Sequence, residues 1–141
     1  MLLGAGCGPP DRAADYLDDL AEITEQMTHD AFTALPPGAA PTHEQVAEVV
    51  DARRRALSAI DRLDPPDALE PEHRVLVLTL AGLVDAGTAF LEETADLDPQ
   101  SFLERLNAST EIDALASRVA SACDAIRLRA QELQHPVGLA C

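Results

Sequence analysis

Residues able to do chemistry are few in this chain. Glu70-Pro71-Glu72-His73 contains Glu-x-x-His, the spacing that di-iron bundles place twice on inward-facing helices. Here it occurs once, with a proline inside it, at a helix start. Its plainer role is a first turn whose Glu70 and Glu72 complement the helix dipole. His29 could join Asp18, Glu22 and Glu25, three or four residues apart, as a stripe for a divalent cation. The same pattern describes a solvated helix face. Haem ligation would need Met and His to converge, and His135 lies past a helix end from Met27. No Cys-x-x-Cys-His is present, nor a Gly-rich elbow for a serine nucleophile, nor a phosphate-cradling loop. The expectation is no cofactor and no catalytic residue, with His29, Glu70 and His73 as the only metal candidates. The one basic cluster is Arg53-Arg54-Arg55. At Arg53 it interrupts an apolar stripe, where it either snorkels or pairs with the acidic first helix. A partner-binding role is the sharper alternative.

Charge narrows the partners. The 141 residues carry 25 acidic and 10 basic side chains, a net charge of −15, and every basic one is arginine. A nucleic acid would be repelled, and electrostatic docking on anionic lipid is equally disfavoured. The arginine-for-lysine and alanine bias fits a GC-rich genome. Aromatics are scarce (Tyr16, Phe32, Phe90 and Phe102), so Leu, Val, Ile and Ala must fill the core, as helix-on-helix packing allows. No apolar run reaches the length of a membrane span.

Prolines at 9–10, 36–37 with 41, 65–66 with 71, 99 and 136 divide the chain into four periodic segments. The first, about Asp11 to Leu35, repeats Ala13, Leu20, Met27 and Ala34 every seven residues, flanked by Tyr16, Leu17, Ile23, Thr24 and Ala31. The second opens on Thr42-His43-Glu44-Gln45, a capping box, with a stripe of Val46, Val49, Val50, Ala56, Leu57, Ile60 and Leu63. The third begins near Pro71, and being apolar almost all round it should be the most buried helix. Val75–Val84 could pass for a strand, but no second strand exists to pair with it and the helical spacing continues to Leu91. The fourth, from Pro99 to Gln134, would be about 50 Å long as one helix. Poor helix formers at Asn107–Thr110, and a second capping signal from Thr110 to Asp113, predict a kink or split there. The expected fold is all-α: residues 11–141 as a single antiparallel up-down-up-down four-helix bundle, preceded by residues 1–10 as a signal remnant and tether.

The cysteines bear on compartment. A helix from Cys123 to Gln134 climbs about 16 Å. An extended return from His135 to Cys141 spans about 20 Å, so the tail can bring Cys141 back to Cys123. A Cys123–Cys141 disulfide would leave one thiol, Cys7, in the stub "MLLGAGCGPP". A disulfide requires an oxidising, extracytoplasmic compartment.

Ala5-Gly6-Cys7 resembles the end of a bacterial lipoprotein signal, in which small residues precede the cysteine that is lipidated. Gly4 stands where that pattern favours Leu, and the basic region of such a signal would lie upstream of Met1. With the Ala59–Leu76 element "AIDRLDPPDALEPEHRVL" and the Cys123–Cys141 tail, the layout resembles small exported helical lipoproteins of GC-rich, actinobacterial-type bacteria. Those proteins are functionally uncharacterised. The resemblance implies compartment and fold, with a lipid on Cys7, and carries no reaction.

The functional expectation is a non-enzymatic, cell-envelope-tethered helical module that binds a protein partner or small ligand. It would be monomeric, would bind no nucleic acid, and would touch the membrane only through the Cys7 lipid. A metal- or cofactor-binding bundle is the alternative, and a cytosolic acidic adaptor with three free thiols is a third.

Overall fold

The structure is a computed structural model and describes residues 12–141; Cys7 and the rest of the stub lie outside the described residues. It is all-α. The helices are α1 (Arg12–Ala34), α2 (His43–Asp61), α3 (Glu70–Glu93), α4 (Pro99–Asn107) and α5 (Thr110–Glu132), with a 3-10 turn at Asp67–Leu69 before α3. No strand occurs among the described residues, and Val75–Val84 is helical.

Local signals set most of the boundaries. Thr42 caps α2 as a complete capping box: Thr42 Oγ1 accepts from Gln45 N, and Gln45 Oε1 accepts from Thr42 N. Pro71 occupies the first turn of α3. Asp98 caps α4 by accepting from Gln100 N and Ser101 N, and these bonds hold its carboxyl below the usual carboxylate range. The predicted split of the fourth segment occurs, so the described residues form five α-helices rather than four. The second capping signal does not form: Ser109 is the cap, without a side-chain bond, and Thr110 is already helical.

The C-terminal end of α5 is a Schellman motif. Gln134 takes a left-handed φ of 61°, with Gln134 N bonded to Gln131 O and His135 N to Ala130 O. The helix therefore ends on its own reversal, one residue before the geometric restriction at Pro136.

One core joins the long helices, with Leu17, Leu20, Ile60, Leu76, Leu80, Cys123 and Ile126 almost wholly buried. The α1 stripe is centred on Tyr16, Leu17, Leu20 and Thr24, while Ala13, Met27 and Ala34 are only half-buried. Where α2 and α3 meet, a side chain at Gly87 would place its Cβ 2.8 Å from Val50 Cγ2, so glycine permits the approach. α4 closes one end, with Phe102 against the rings of His43 and Phe90, where the start of α2 and the end of α3 meet. Among the described helices α3 carries the most buried residues, as its composition predicts, yet part of its apolar surface faces outward: Val75 is 50% exposed and Leu78 66%. The segment Asp67–Glu93 is also, by length and composition alone, long and apolar enough to cross a membrane. Asp85 and the small residues near it break the run and hide that length from inspection of the sequence.

Close backbone packing links α1 to α2, α2 to α3 and α3 to α5. The C-terminal tail also ties α5 to α1. Cys141 is disulfide-bonded to Cys123 of α5, with Cα atoms 6.3 Å apart. Ala140 N donates to Thr24 Oγ1 at 3.3 Å, and Thr28 Oγ1 donates to Ala140 O at 2.6 Å, both on α1. Leu139 is buried and Val137 packs against the core, as the fold-back requires. The bond closes a loop across a sequence separation of 18, which corresponds to a stabilisation of about 3 kcal/mol. Replacing both cysteines by serine is expected to lower the melting temperature by about 10 °C, read by calorimetry. An unchanged melting temperature would show that the tail contributes nothing.

Candidate functional site

Two of the concave sites among the described residues hold the side chains singled out in the sequence. The first lies between the long helices and under the tail. Met27, Thr28, Ala31, Phe32 and Leu35 come from α1 and its end, Val49 and Arg53 from α2, and Leu80 and Leu83 from α3. Ala116 and Val119 of α5 and Ala140 and Cys141 of the tail complete the wall. The cavity is mainly apolar, with a volume of about 290 Å³. It persists because the sequence puts small side chains, Ala31, Ala116 and Ala140, where larger ones would fill the space. Phe32 stands at its edge, 60% exposed.

The polar groups of this site are few. Thr28 is engaged with Ala140, and Cys141 is in the disulfide. Arg53 therefore dominates the electrostatics. Burial pushes its guanidinium below the ordinary arginine value, although an arginine remains a cation. Three arginines are drawn in from the surface: Arg53, Arg127 and Arg129. Arg127 pairs with Asp124, and Arg129 with Glu132 and the Ala68 carbonyl. Arg53 has neither an ion pair nor a hydrogen bond among the described residues. Its neighbours in sequence take up the nearby carboxylates, Arg54 binding Asp51 and Arg55 binding Asp30 at 3.3 Å. The pairing with the first helix thus belongs to Arg55, and Arg53 lines the pocket wall.

The second site, of about 410 Å³, is polar and includes Arg12, Asp61, Asp64, Glu70, His73 and Arg74. Here Tyr16 Oη lies 2.8 Å from His73 Nδ1, both residues buried, with the rings edge-on. Burial and the Glu72 carboxylate push the phenol well above its usual range, so it stays protonated. Burial lowers His73, against the opposing pull of Asp61 and Glu70. Among the described residues His73 is the phenol's hydrogen-bond partner, and a protonated phenol can donate to the neutral ring. The pair satisfies two buried polar groups and offers no activated nucleophile.

The metal candidates are not brought together. Glu70 is bonded to Arg74 at 2.8 Å, His73 to Tyr16, and His29 is exposed on α1 beside the exposed Asp18, Glu22 and Glu25. Among the described residues, no group of three or more His, Cys, Asp or Glu is placed to hold a metal ion. Met27 lines the apolar cavity, while His135 belongs to the helix-end motif. Sequence reasoning missed the Tyr16–His73 bond and the role of Thr24 and Thr28. Thr24 did carry a signal, because a threonine beside an apolar stripe needs a bonding partner once buried.

No protein-family model, curated protein or solved structure matches this chain.

The His73 environment sets a pH dependence. In the unfolded chain the ring takes up its proton near 6.5, and in the folded chain only at lower pH. Between those values the unfolded state binds more protons, so this group's contribution is intact above about 6.5 and declines as pH falls below it. Thermal melts of wild type and His73→Asn from pH 8 to pH 5 should separate this effect from that of the many carboxylates. The wild type should lose stability faster below pH 6.5, and parallel curves would show that His73 does not contribute.

Proposed function

We propose that the protein is a non-enzymatic, cell-envelope-tethered helical module that holds a small apolar ligand between its long helices. In finer detail, we read α1, α2, α3 and α5 as an up-down-up-down bundle with α4 as a short end element. The observation that carries the functional reading is the apolar cavity of about 290 Å³. Bundle interiors are ordinarily filled to crystal-like density, and ligand sites between helices begin at roughly this size. A lining with one engaged hydroxyl, one guanidinium and mainly apolar side chains suits holding a ligand more than transforming it.

The envelope location is supported by the Cys123–Cys141 disulfide, which an oxidising compartment would maintain. Ala5-Gly6-Cys7 supplies the lipidation signal. A net charge of −15 favours neither nucleic acid nor an anionic membrane surface as partner.

The cavity is tested with the neutral apolar fluorophore N-phenyl-1-naphthylamine. Saturable binding is expected, and Ala116→Leu should abolish it by filling the space. The same change should raise stability by about 0.5–2 kcal/mol, as cavity filling commonly does. Wild-type protein that leaves the probe's emission unchanged would refute the reading. The tether is tested separately, in a native-like host that makes lipoproteins and from a gene carrying its upstream region. The protein should partition into detergent, and Cys7→Ala should release it to the aqueous phase.

A further inference from the structure

We propose that the ligand is a single-chain carboxylate amphiphile, with its chain in the apolar cavity and its carboxylate on Arg53. This rests on the cavity being a ligand site and adds the chemical class of the ligand.

The first support is the state of Arg53. In a chain with 25 acidic residues, arginines find carboxylates readily, and both other half-buried arginines have done so. Arg53 lines the cavity with no acceptor among the described residues. A partly desolvated cation without a counter-charge is unfavourable in the empty protein, and an incoming anion relieves that. Arg54 and Arg55 occupy Asp51 and Asp30, which keeps those two carboxylates from neutralising Arg53 internally.

The second support is the count of polar groups. One planar guanidinium matches one carboxylate through two parallel N–H···O bonds. A phosphate would call for further donors, and the cavity has none to spare, since the Thr28 hydroxyl donates to Ala140. The side chains of Met27, Leu80, Leu83 and Val119 make the rest of the wall mainly apolar, which suits a hydrocarbon chain. The volume suits a medium-length chain rather than a sterol or a two-chain lipid. The acidic surface opposes an approaching anion at long range, but salt screens that repulsion beyond about 8 Å at physiological ionic strength, and the buried contact is screened far less.

Isothermal titration with decanoate and with 1-decanol tests the proposal, since the two differ mainly in the headgroup. Wild-type protein should bind decanoate at least about tenfold more tightly than decanol, as a charge-assisted bond implies. Arg53→Met, which keeps the stem and removes the charge, should erase that preference and leave decanol binding unchanged. Should Arg53→Met fail to fold, Arg53→Lys is expected to retain preference for the acid, and the wild-type comparison still decides. Equal affinity for acid and alcohol would overturn the carboxylate assignment while leaving the apolar site intact. If decanoate, decanol and the neutral fluorophore all fail to bind, both the assignment and the ligand site are overturned.

Discussion

The fastening of the C-terminal tail between α5 and α1 is the constraint on which the rest of the arrangement depends. Close helix-on-helix packing joins α1 to α2, α2 to α3 and α3 to α5, and the tail ties α5 to α1. The fastening uses two kinds of bond. A covalent link to Cys123 limits how far the chain can stray, and it acts largely by restricting the unfolded ensemble. Hydroxyls of Thr24 and Thr28 then satisfy both polar groups of the Ala140 peptide, which no helix or sheet is available to satisfy. The Schellman turn at Gln134 aims the chain back along the bundle, so the disulfide joins residues already directed toward each other.

The same tail forms one wall of the apolar cavity. Cavity and closure are therefore one structural feature. A helix packed directly into that seam would bring large side chains toward the centre. A short extended segment carrying Ala140 and Cys141 does not, and the space beside Leu80, Leu83 and Val119 stays open. Scarcity of aromatics works in the same direction: Phe102 and Phe90 are committed at the α4 end, and Phe32 turns outward.

Three consecutive arginines illustrate how helical geometry separates like residues. On α2, successive positions are about 100° apart around the axis. Arg55 therefore reaches Asp30 on α1, and Arg54 turns to Asp51 and to Thr88 on α3. Arg53 falls on the apolar stripe and lines the cavity. Three identical side chains thus take two surface roles and one interior role.

The sequence by itself determined the all-α class, the capping box at Thr42, the start of α3 at Pro71 and the split near Asn107–Thr110. Those features depend on residues within a turn or two of one another, where propensity and capping act locally. It also made the Cys123–Cys141 pair reachable, because the rise per residue in a helix and in an extended chain lets the tail return to Cys123, and the tertiary structure closes the bond. Tertiary structure alone decided that Tyr16 bonds His73, 57 residues away, and that Thr28 bonds Ala140, 112 residues away. It likewise decided that Val75 and Leu78 of the apolar α3 face outward, and that Arg53, unlike Arg55, has no carboxylate partner among the described residues. In each case the partner comes from a distant element, and the angle at which two helices meet selects it. Local periodicity carries no information about that angle.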